Sequence, residues 1–188
     1  MPNELKIGPQ LRDATASLLE VRAEKDQKRL TLSASSTEPY DRYYGTEILS
    51  HDAGAIRMDR FKREAVPLLF NHNWDDPIGM VSGARIENDR LMVDAQLFAT
   101  DRAAEVLKMV EGGLRNVSIG YRVHEFLVNE KTDTYTATDW EPLEVSVVTV
   151  PADASVGIGR AQDTAPVPVR VQVSPPAAQA ALSKELLS

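Results

Sequence analysis

Residues 117–123 read VSIGYRV, and the alternation of their side chains decides the fold class. In an extended strand, successive side chains point to opposite faces of the sheet, so residues two positions apart share a face. One face of this stretch would carry the apolar side chains of Val117, Ile119, Tyr121 and Val123. The other face would carry Ser118, Gly120 and Arg122. The segment therefore predicts a strand with one buried face and a serine on the other.

Short β-rich runs of the same kind lie on both sides of this strand. Each combines apolar or β-branched residues with flanking turn residues, which is the pattern of strands. They are residues 29–35, 46–50, 66–70, 77–82, 90–98, 133–139 and 142–150. One clear helix interrupts them, with Thr100 as its cap and Gly112 and Gly113 at its end. Many short strands around one helix predict a mostly β (α+β) chain, built as a closed or nearly closed antiparallel β-barrel.

The two ends of the chain differ from this central region. Residues 1–28 are charged, with leucine and valine at loosely helical spacing, which predicts a peripheral N-terminal helical segment. Residues 161–188 are rich in alanine and proline, which predicts a flexible C-terminal arm. The barrel domain between them is expected to span residues 29–160.

The overall composition excludes several classes of protein. The 188 residues include 28 acidic and 21 basic side chains, a net charge of −7, whereas phosphate binding needs clustered excess lysine and arginine. Without cysteine the chain can form no disulfide, thiolate zinc site or cysteine nucleophile. No apolar run approaches the roughly 18 residues of a membrane span. We therefore expect a soluble, intracellular protein with neither a nucleic acid nor a membrane as partner.

Three polar residues lie where they could support nucleophilic chemistry. His72 follows an apolar run, Ser118 lies on the polar face of residues 117–123, and Glu144 lies in a valine-rich run. A serine hydroxyl is a weak nucleophile until a base takes its proton, and a carboxylate stabilises the imidazolium that then forms. Each residue also has an ordinary structural explanation: a half-buried histidine, a solvent-facing serine beside a bulge glycine, and a solvated glutamate.

Five stretches of the sequence resemble the prohead (capsid maturation) proteases of HK97-type tailed phages. They are EILSHDAGAI (47–56), PLLFNHNWDDPIG (67–79), RLMVDAQLF (90–98), EGGLRNVSIGY (111–121) and WEPLEVSVVTVPAD (140–153). They occur in the order of that family and cover about residues 38–160. The resemblance implies a fold similar to that of the herpesvirus assembly proteases, a mostly antiparallel β-barrel flanked by a few helices.

The same resemblance implies a role for each of the three polar residues. His72 would be the general base and Ser118 the nucleophile. Glu144, 26 residues after Ser118, would take the third position, where the herpesvirus enzymes use a second histidine. The implied protein is a serine endopeptidase without cofactor or metal. It would cut the scaffolding segment of the major capsid protein, and itself, inside the assembling prohead in the host cytoplasm. Whether it forms a homo-oligomer is left open.

Two other functions fit the residues. A non-catalytic capsid assembly scaffold or chaperone could use the same barrel, with the C-terminal arm as its binding element. A metal-dependent hydrolase could use polar residues spread along the chain: His51, Asp52, His72, Asp75, Asp76 and His124. Their spacings match no H-x-x-x-H or facial carboxylate pattern, which disfavours a metal centre.

Overall fold

The computed structural model describes residues 5–14, 18–24, 27–149 and 167–173, and strands predominate among them. The strands are β1 (Leu5–Ile7), β2 (Gln10–Ala14), β3 (Leu18–Glu24), β4 (Gln27–Ser36), β5 (Tyr40–Arg42), β6 (Gly45–Leu49), β7 (Pro67–Phe70), β8 (Pro77–Glu87), β9 (Arg90–Leu97), β10 (Val117–Asn129), β11 (Thr134–Val147) and β12 (Val167–Val173). The helices are α1 (Asp59–Lys62) and α2 (Asp101–Glu111). The prediction of a mostly β chain with few helices is confirmed.

The described strands form a single curled sheet shaped like half a barrel. Its main path runs β1-β12-β10-β11-β7-β8-β9-β4-β3, while β2 pairs with β10, and β6 pairs with both β11 and β5. Strand β4 also lies close to β10 and β2, although several strands separate β4 from β10 along this path. The sheet therefore curls. The hydrophobic core includes the whole predicted apolar face of residues 117–123.

The sheet is mixed, so the predicted antiparallel β-barrel is not confirmed. Strand β11 pairs in parallel with β6 and β7, and β10 pairs in parallel with β12. Parallel and antiparallel strands share the same two-residue alternation of side chains, so the sequence pattern could not distinguish them. The specific likeness to the herpesvirus proteases stays a prediction.

Two of the predicted strands are one continuous strand, β11. The expected break between residues 139 and 142 contains Pro142, which cannot donate a hydrogen bond to a neighbouring strand. In the structure, Pro142 lies opposite Tyr121 next to a register shift, since Glu144 lies opposite the adjacent Gly120. Such an irregularity accommodates proline without ending the strand. It also fixes which residues of β10 and β11 face each other beyond it.

The predicted amphipathic helix is confirmed as α2. The Thr100 side chain accepts a hydrogen bond from the Ala103 backbone N–H at 3.2 Å, which caps the first turn. The buried face of the helix consists of Ala103, Val106, Leu107 and Val110. The chain leaves the helix through Gly113, whose φ of +114° favours glycine. In the part of the chain that the structure describes, neither helix is long and apolar enough to span a membrane.

The N-terminal segment is not helical where the structure describes it. Residues 5–14 and 18–24 form β1, β2 and β3, so the prediction of a helix over residues 1–28 was wrong there. Strand β2 pairs with β10 and β3 pairs with β4. Pairing with other strands overrides the weak helical spacing of a few apolar residues, because local propensity is only a weak determinant of structure.

The predicted C-terminal arm also contains a strand. Residues 167–173 (VPVRVQV) pair with β1 on one side and β10 on the other. Valine at every second position explains this strand, which the overall alanine and proline content of the segment had hidden. The rest of the arm lies outside the described residues. The division of the chain at residues 28 and 160 stays a prediction.

Candidate active site

The register of β10 against β11 brings the predicted site residues onto one face of the sheet. Ser118 lies directly opposite Ser146, and Gly120 lies opposite Glu144. Directly opposed side chains share a face, and their Cβ atoms are typically about 4.5–5.5 Å apart. Although this face is opposite the apolar one, Ser118, Glu144 and Ser146 are all fully buried.

A tight turn after β7 positions His72. Asn71 and His72 both have left-handed backbone conformations, with φ of 52° and 57°. Two contacts hold the turn to the end of β11: the Asn71 N–H donates to the Val147 carbonyl at 2.9 Å, and Asn71 Oδ1 accepts from the Thr149 N–H at 2.9 Å. Left-handed backbone costs energy for residues other than glycine and is common at functional sites. Here it directs the histidine back over β11.

The structure brings His72 and Glu144 into direct contact. His72 Nδ1 lies 2.7 Å from Glu144 Oε1. The other carboxylate oxygen, Oε2, accepts a hydrogen bond from the Ser146 hydroxyl at 2.6 Å. Because a carboxylate accepts, the proton of the neutral imidazole lies on Nδ1, which leaves the lone pair of Nε2 able to accept a proton. Glu144 therefore fixes the tautomer that a general base requires.

Ser118 shares this face but makes no hydrogen bond to His72. Its hydroxyl donates to the backbone carbonyl of Arg12, in β2, at 3.2 Å. His72 Nε2 is buried, and no described residue provides it with a hydrogen-bond partner. Hydrogen bonds of catalytic residues are often long or absent before substrate binds. The structure thus brings His72 and Glu144 together, with the Ser118 hydroxyl directed toward β2.

Ser146 belongs to this arrangement, and the sequence reasoning assigned it no role. Its hydroxyl donates to Glu144 and accepts a hydrogen bond from the His72 backbone N–H at 3.2 Å, so it holds both partners in place. The signal that could have identified it is the spacing Glu-x-Ser, which places both side chains on one face of a strand.

If the chain has the protease activity that its resemblance implies, replacing Ser146 with alanine should reduce that activity by about ten- to a hundredfold, the usual cost of losing a residue that orients a catalytic group. Glu144 and the His72 backbone would each lose a hydrogen bond while the nucleophile stays intact. Cleavage rates of purified Ser146→Ala measure the effect. Ser33→Ala, which removes another buried serine hydroxyl on β4, is the matched control. A wild-type rate in Ser146→Ala would contradict the orienting role.

Gly120 lies directly under the Glu144 side chain. A Cβ atom added at Gly120 would lie 2.6 Å from Glu144 Oε1, closer than two such atoms can approach. Gly120→Ala should therefore displace the carboxylate from His72 and slow cleavage by about ten- to a hundredfold, as for other losses of support to a catalytic histidine. Gly83→Ala is the control, since its Cβ would meet its nearest neighbour at an ordinary 3.7 Å. Equal rates in both variants would refute the steric argument.

The other two histidines have structural contacts of their own. His51 Nε2 lies 2.8 Å from Ser35 Oγ and its ring contacts Trp140, and burial lowers the pKa of His51. His124 Nε2 lies 3.6 Å from Glu141 Oε2, and burial also lowers the pKa of His124. Within the described ranges, no three His, Cys, Asp or Glu side chains are grouped so as to hold a metal ion.

Comparison with known proteins identifies capsid-related relatives. Residues 19–167 match the profile of the caudovirus prohead serine proteases. The major capsid protein of Halomonas phage phiHAP-1 is 38% identical over 140 residues, which are 70% of this chain and 23% of that protein. The capsid polyprotein of Pseudomonas phage PAJU2 is 33% identical over 150 residues, which are 76% of this chain and 21% of that protein. The chain thus spans less than a quarter of the length of these curated relatives.

A solved structure shows the same fold. The structure of the bacteriophage T4 capsid assembly protease matches with a TM-score of 0.55 and covers 76% of this chain and 99% of its own. Only 10% of the residues are identical, so this match concerns the fold alone. The profile match, however, extends over most of the sequence and contains His72, Ser118 and Glu144. The chain belongs to the caudovirus prohead serine protease family, as its resemblance to HK97-type prohead proteases indicated.

Proposed function

We propose that this protein is a serine endopeptidase that cuts the scaffolding segment of the major capsid protein, and itself, during prohead maturation. The observation that carries the proposal is the 2.7 Å contact between His72 and Glu144, on the face of the sheet that carries Ser118. A buried carboxylate on one ring nitrogen, with the other ring nitrogen unpaired, is the arrangement that a serine nucleophile needs. The family to which the chain belongs is a serine protease family.

The proposed reaction uses each residue at a stated atom. Ser118 Oγ attacks the carbonyl carbon of the scissile peptide bond while His72 Nε2 takes the hydroxyl proton. The Glu144 carboxylate stabilises the imidazolium, which then gives its proton to the leaving amine nitrogen. A water molecule, deprotonated by His72, hydrolyses the resulting ester and restores Ser118. Neither step requires a cofactor or a metal.

The names of the relatives support a capsid substrate. One is called a major capsid protein and the other a capsid polyprotein, and both contain a region similar to this chain. A protease region within a capsid polypeptide has its substrate in the same assembly. We therefore propose the inside of the assembling prohead, in the host cytoplasm, as the place of action.

Co-expression with the capsid protein of the same phage tests this function. We expect the capsid protein to be cleaved to a shorter form. Chelators should not affect this cleavage, and a fluorophosphonate should stop it. Mass spectrometry of the labelled protein should locate the adduct on Ser118. A full-length capsid protein after co-expression would contradict the endopeptidase. Inhibition by chelator alone would favour a metal-dependent hydrolase.

One observation favours a second candidate function, a non-catalytic assembly scaffold. Ser118 is fully buried, and its hydroxyl is bonded to β2 rather than to the base. If wild type binds the capsid protein without cutting it and Ser118 takes no label, the scaffold is the better description. Ser118-dependent cleavage would exclude a purely structural role.

A further inference from the structure

We propose, on the basis of the proposed protease function, that β2 occupies the substrate groove of its own chain. In this arrangement Arg12 is the specificity residue and the bond between Arg12 and Asp13 is the one that is cut. The enzyme would then select arginine immediately before its cleavage sites. Four features of the described residues support this: the position of β2, its distance from Ser118, the pocket around Arg12, and the vacant acceptor on His72.

The position of β2 is that of an added substrate strand. One edge of β10 is paired with β12 over residues 125–128 and with β2 over residues 117–121. The β2 pairing is antiparallel and covers the half of β10 that carries Ser118. Residues 10–14 precede the part of the chain that matches the family, which begins at residue 19. An extended peptide binds proteins by adding a strand at such a sheet edge.

The contact with the nucleophile singles out one peptide bond. Ser118 lies opposite Asp13 in the register, and its hydroxyl is 3.2 Å from the carbonyl oxygen of Arg12. Nucleophilic attack would join Ser118 Oγ to the carbonyl carbon, the atom to which this oxygen is bonded. The Arg12 carbonyl is therefore the group that a rotation of the Ser118 hydroxyl toward His72 would leave open to attack.

The side chain of Arg12 lies in a closed pocket that contains one carboxylate, Glu47, and a second guanidinium, Arg42. It is 2% exposed, and its guanidinium lies 4.0 Å from the fully buried carboxylate of Glu47 and over the ring of Tyr40. Tyr121, also buried, completes the polar environment, and burial lowers the pKa of the Arg12 guanidinium. The pocket thus already accommodates one arginine, Arg42, between the same carboxylate and ring, and it holds the planar guanidinium of Arg12 beside it.

The pocket does not depend on Arg12 for its own integrity. Glu47 Oε2 accepts a hydrogen bond from the Tyr44 hydroxyl at 2.5 Å, and Oε1 interacts with Tyr121 and with Arg42 at 3.4 Å. Arg12 Nη1, by contrast, is buried without a hydrogen-bond partner in the described part of the chain. Because Glu47 keeps its other partners, Arg12 can leave the pocket without leaving an unpaired carboxylate.

The proposed step is the hydrolysis of one peptide bond. Ser118 Oγ bonds to the Arg12 carbonyl carbon, its proton passes to His72 Nε2, and the bond to the Asp13 nitrogen breaks as that nitrogen takes the proton. Water then hydrolyses the Arg12 ester, which releases residues 1–12 with a free carboxylate and restores Ser118. His72 Nε2 has no other partner among the described residues, so it can accept the proton.

Intact-mass spectrometry of the full-length chain tests the proposal. We expect wild type to lose residues 1–12 and to begin at Asp13, and Ser118→Ala to retain them. Arg12→Ala should slow this processing by at least about a hundredfold, because the substrate strand would lose the side chain that fills the pocket and so positions the scissile bond. Arg12→Lys should be intermediate. Arg22→Ala, in β3 and away from β10, is the matched control and should be processed as wild type.

A peptide in trans keeps the test independent of the folding of the Arg12 variants. A labelled peptide of residues 8–17 (GPQLRDATAS) should be cut after its arginine, and the same peptide with alanine in place of the arginine should be at least about a hundredfold slower. If wild type cuts the capsid protein but retains residues 1–12, or cuts both peptides equally, the proposal is wrong and the protease function stands. If nothing is cut in a Ser118-dependent way, the proposed function itself fails.

Discussion

Ser118→Ala and His72→Ala should each reduce cleavage of the capsid protein by about 10⁴- to 10⁶-fold, because nucleophile and base act as one unit. In the proposed mechanism Ser118 supplies the atom that bonds to the substrate, and the base is His72, which contacts Glu144. The double variant should be little slower than either single variant, since removing one member already removes the function of the other.

The measurement is the rate of appearance of shortened capsid protein with purified enzyme, and thermal unfolding checks that the variants are folded. His124→Ala is the matched control for His72, because His124 contacts Glu141 and not Glu144. The control should cleave at nearly the wild-type rate. Full cleavage by Ser118→Ala would remove the assignment of the nucleophile, and Ser146, directly opposite in the sheet, would be the next residue to replace.

The central strands could be predicted from the sequence because their alternation is a local property. Residues 90–98 and 117–123 each carry an apolar residue at every second position, and β9 and β10 lie there with these side chains in the core. The alternation does not indicate which strands pair with each other, or whether a pair is parallel or antiparallel. The parallel pairing of β11 with β7 depends on how the whole chain folds. The same limit produced the wrong helix at the N-terminus, where β2 gains its stability from pairing with β10, over a hundred residues away.

The parts of the candidate site that follow from the alternation of strand residues could be predicted from the sequence, and the other parts could not. The sequence suggested that an imidazole would pair with Glu144, and His72 does so in the structure. The support given by Ser146 follows from the same alternation and could have been inferred. The contact of Ser118 with Arg12 could not be inferred. It joins residues 106 positions apart, and Arg12 lies in the segment that was predicted to be a helix. Whether the three residues catalyse proteolysis stays a prediction that the substitutions test.

Glu144→Gln should have the second largest effect, a loss of about 10³- to 10⁴-fold in cleavage rate, comparable with the loss of the carboxylate in other serine protease triads. The sequence alone would allow a smaller loss, because water can replace a partly exposed third residue. In the structure Glu144 is fully buried, and both of its oxygens are occupied, one by His72 and one by Ser146. Water therefore cannot reach this position to replace the carboxylate.

The amide acts against catalysis in either orientation. If its NH₂ group faces His72, the amide donates to Nδ1, and the proton of the neutral ring moves to Nε2, which can then no longer act as a base. If its oxygen faces His72, the tautomer is kept, but no negative charge stabilises the imidazolium. Glu141→Gln, on the same strand and paired with Arg60, is the control for loss of a carboxylate. Single-turnover cleavage rates of the two variants decide the matter: a Glu144→Gln enzyme as fast as Glu141→Gln would show that His72 does not depend on this carboxylate.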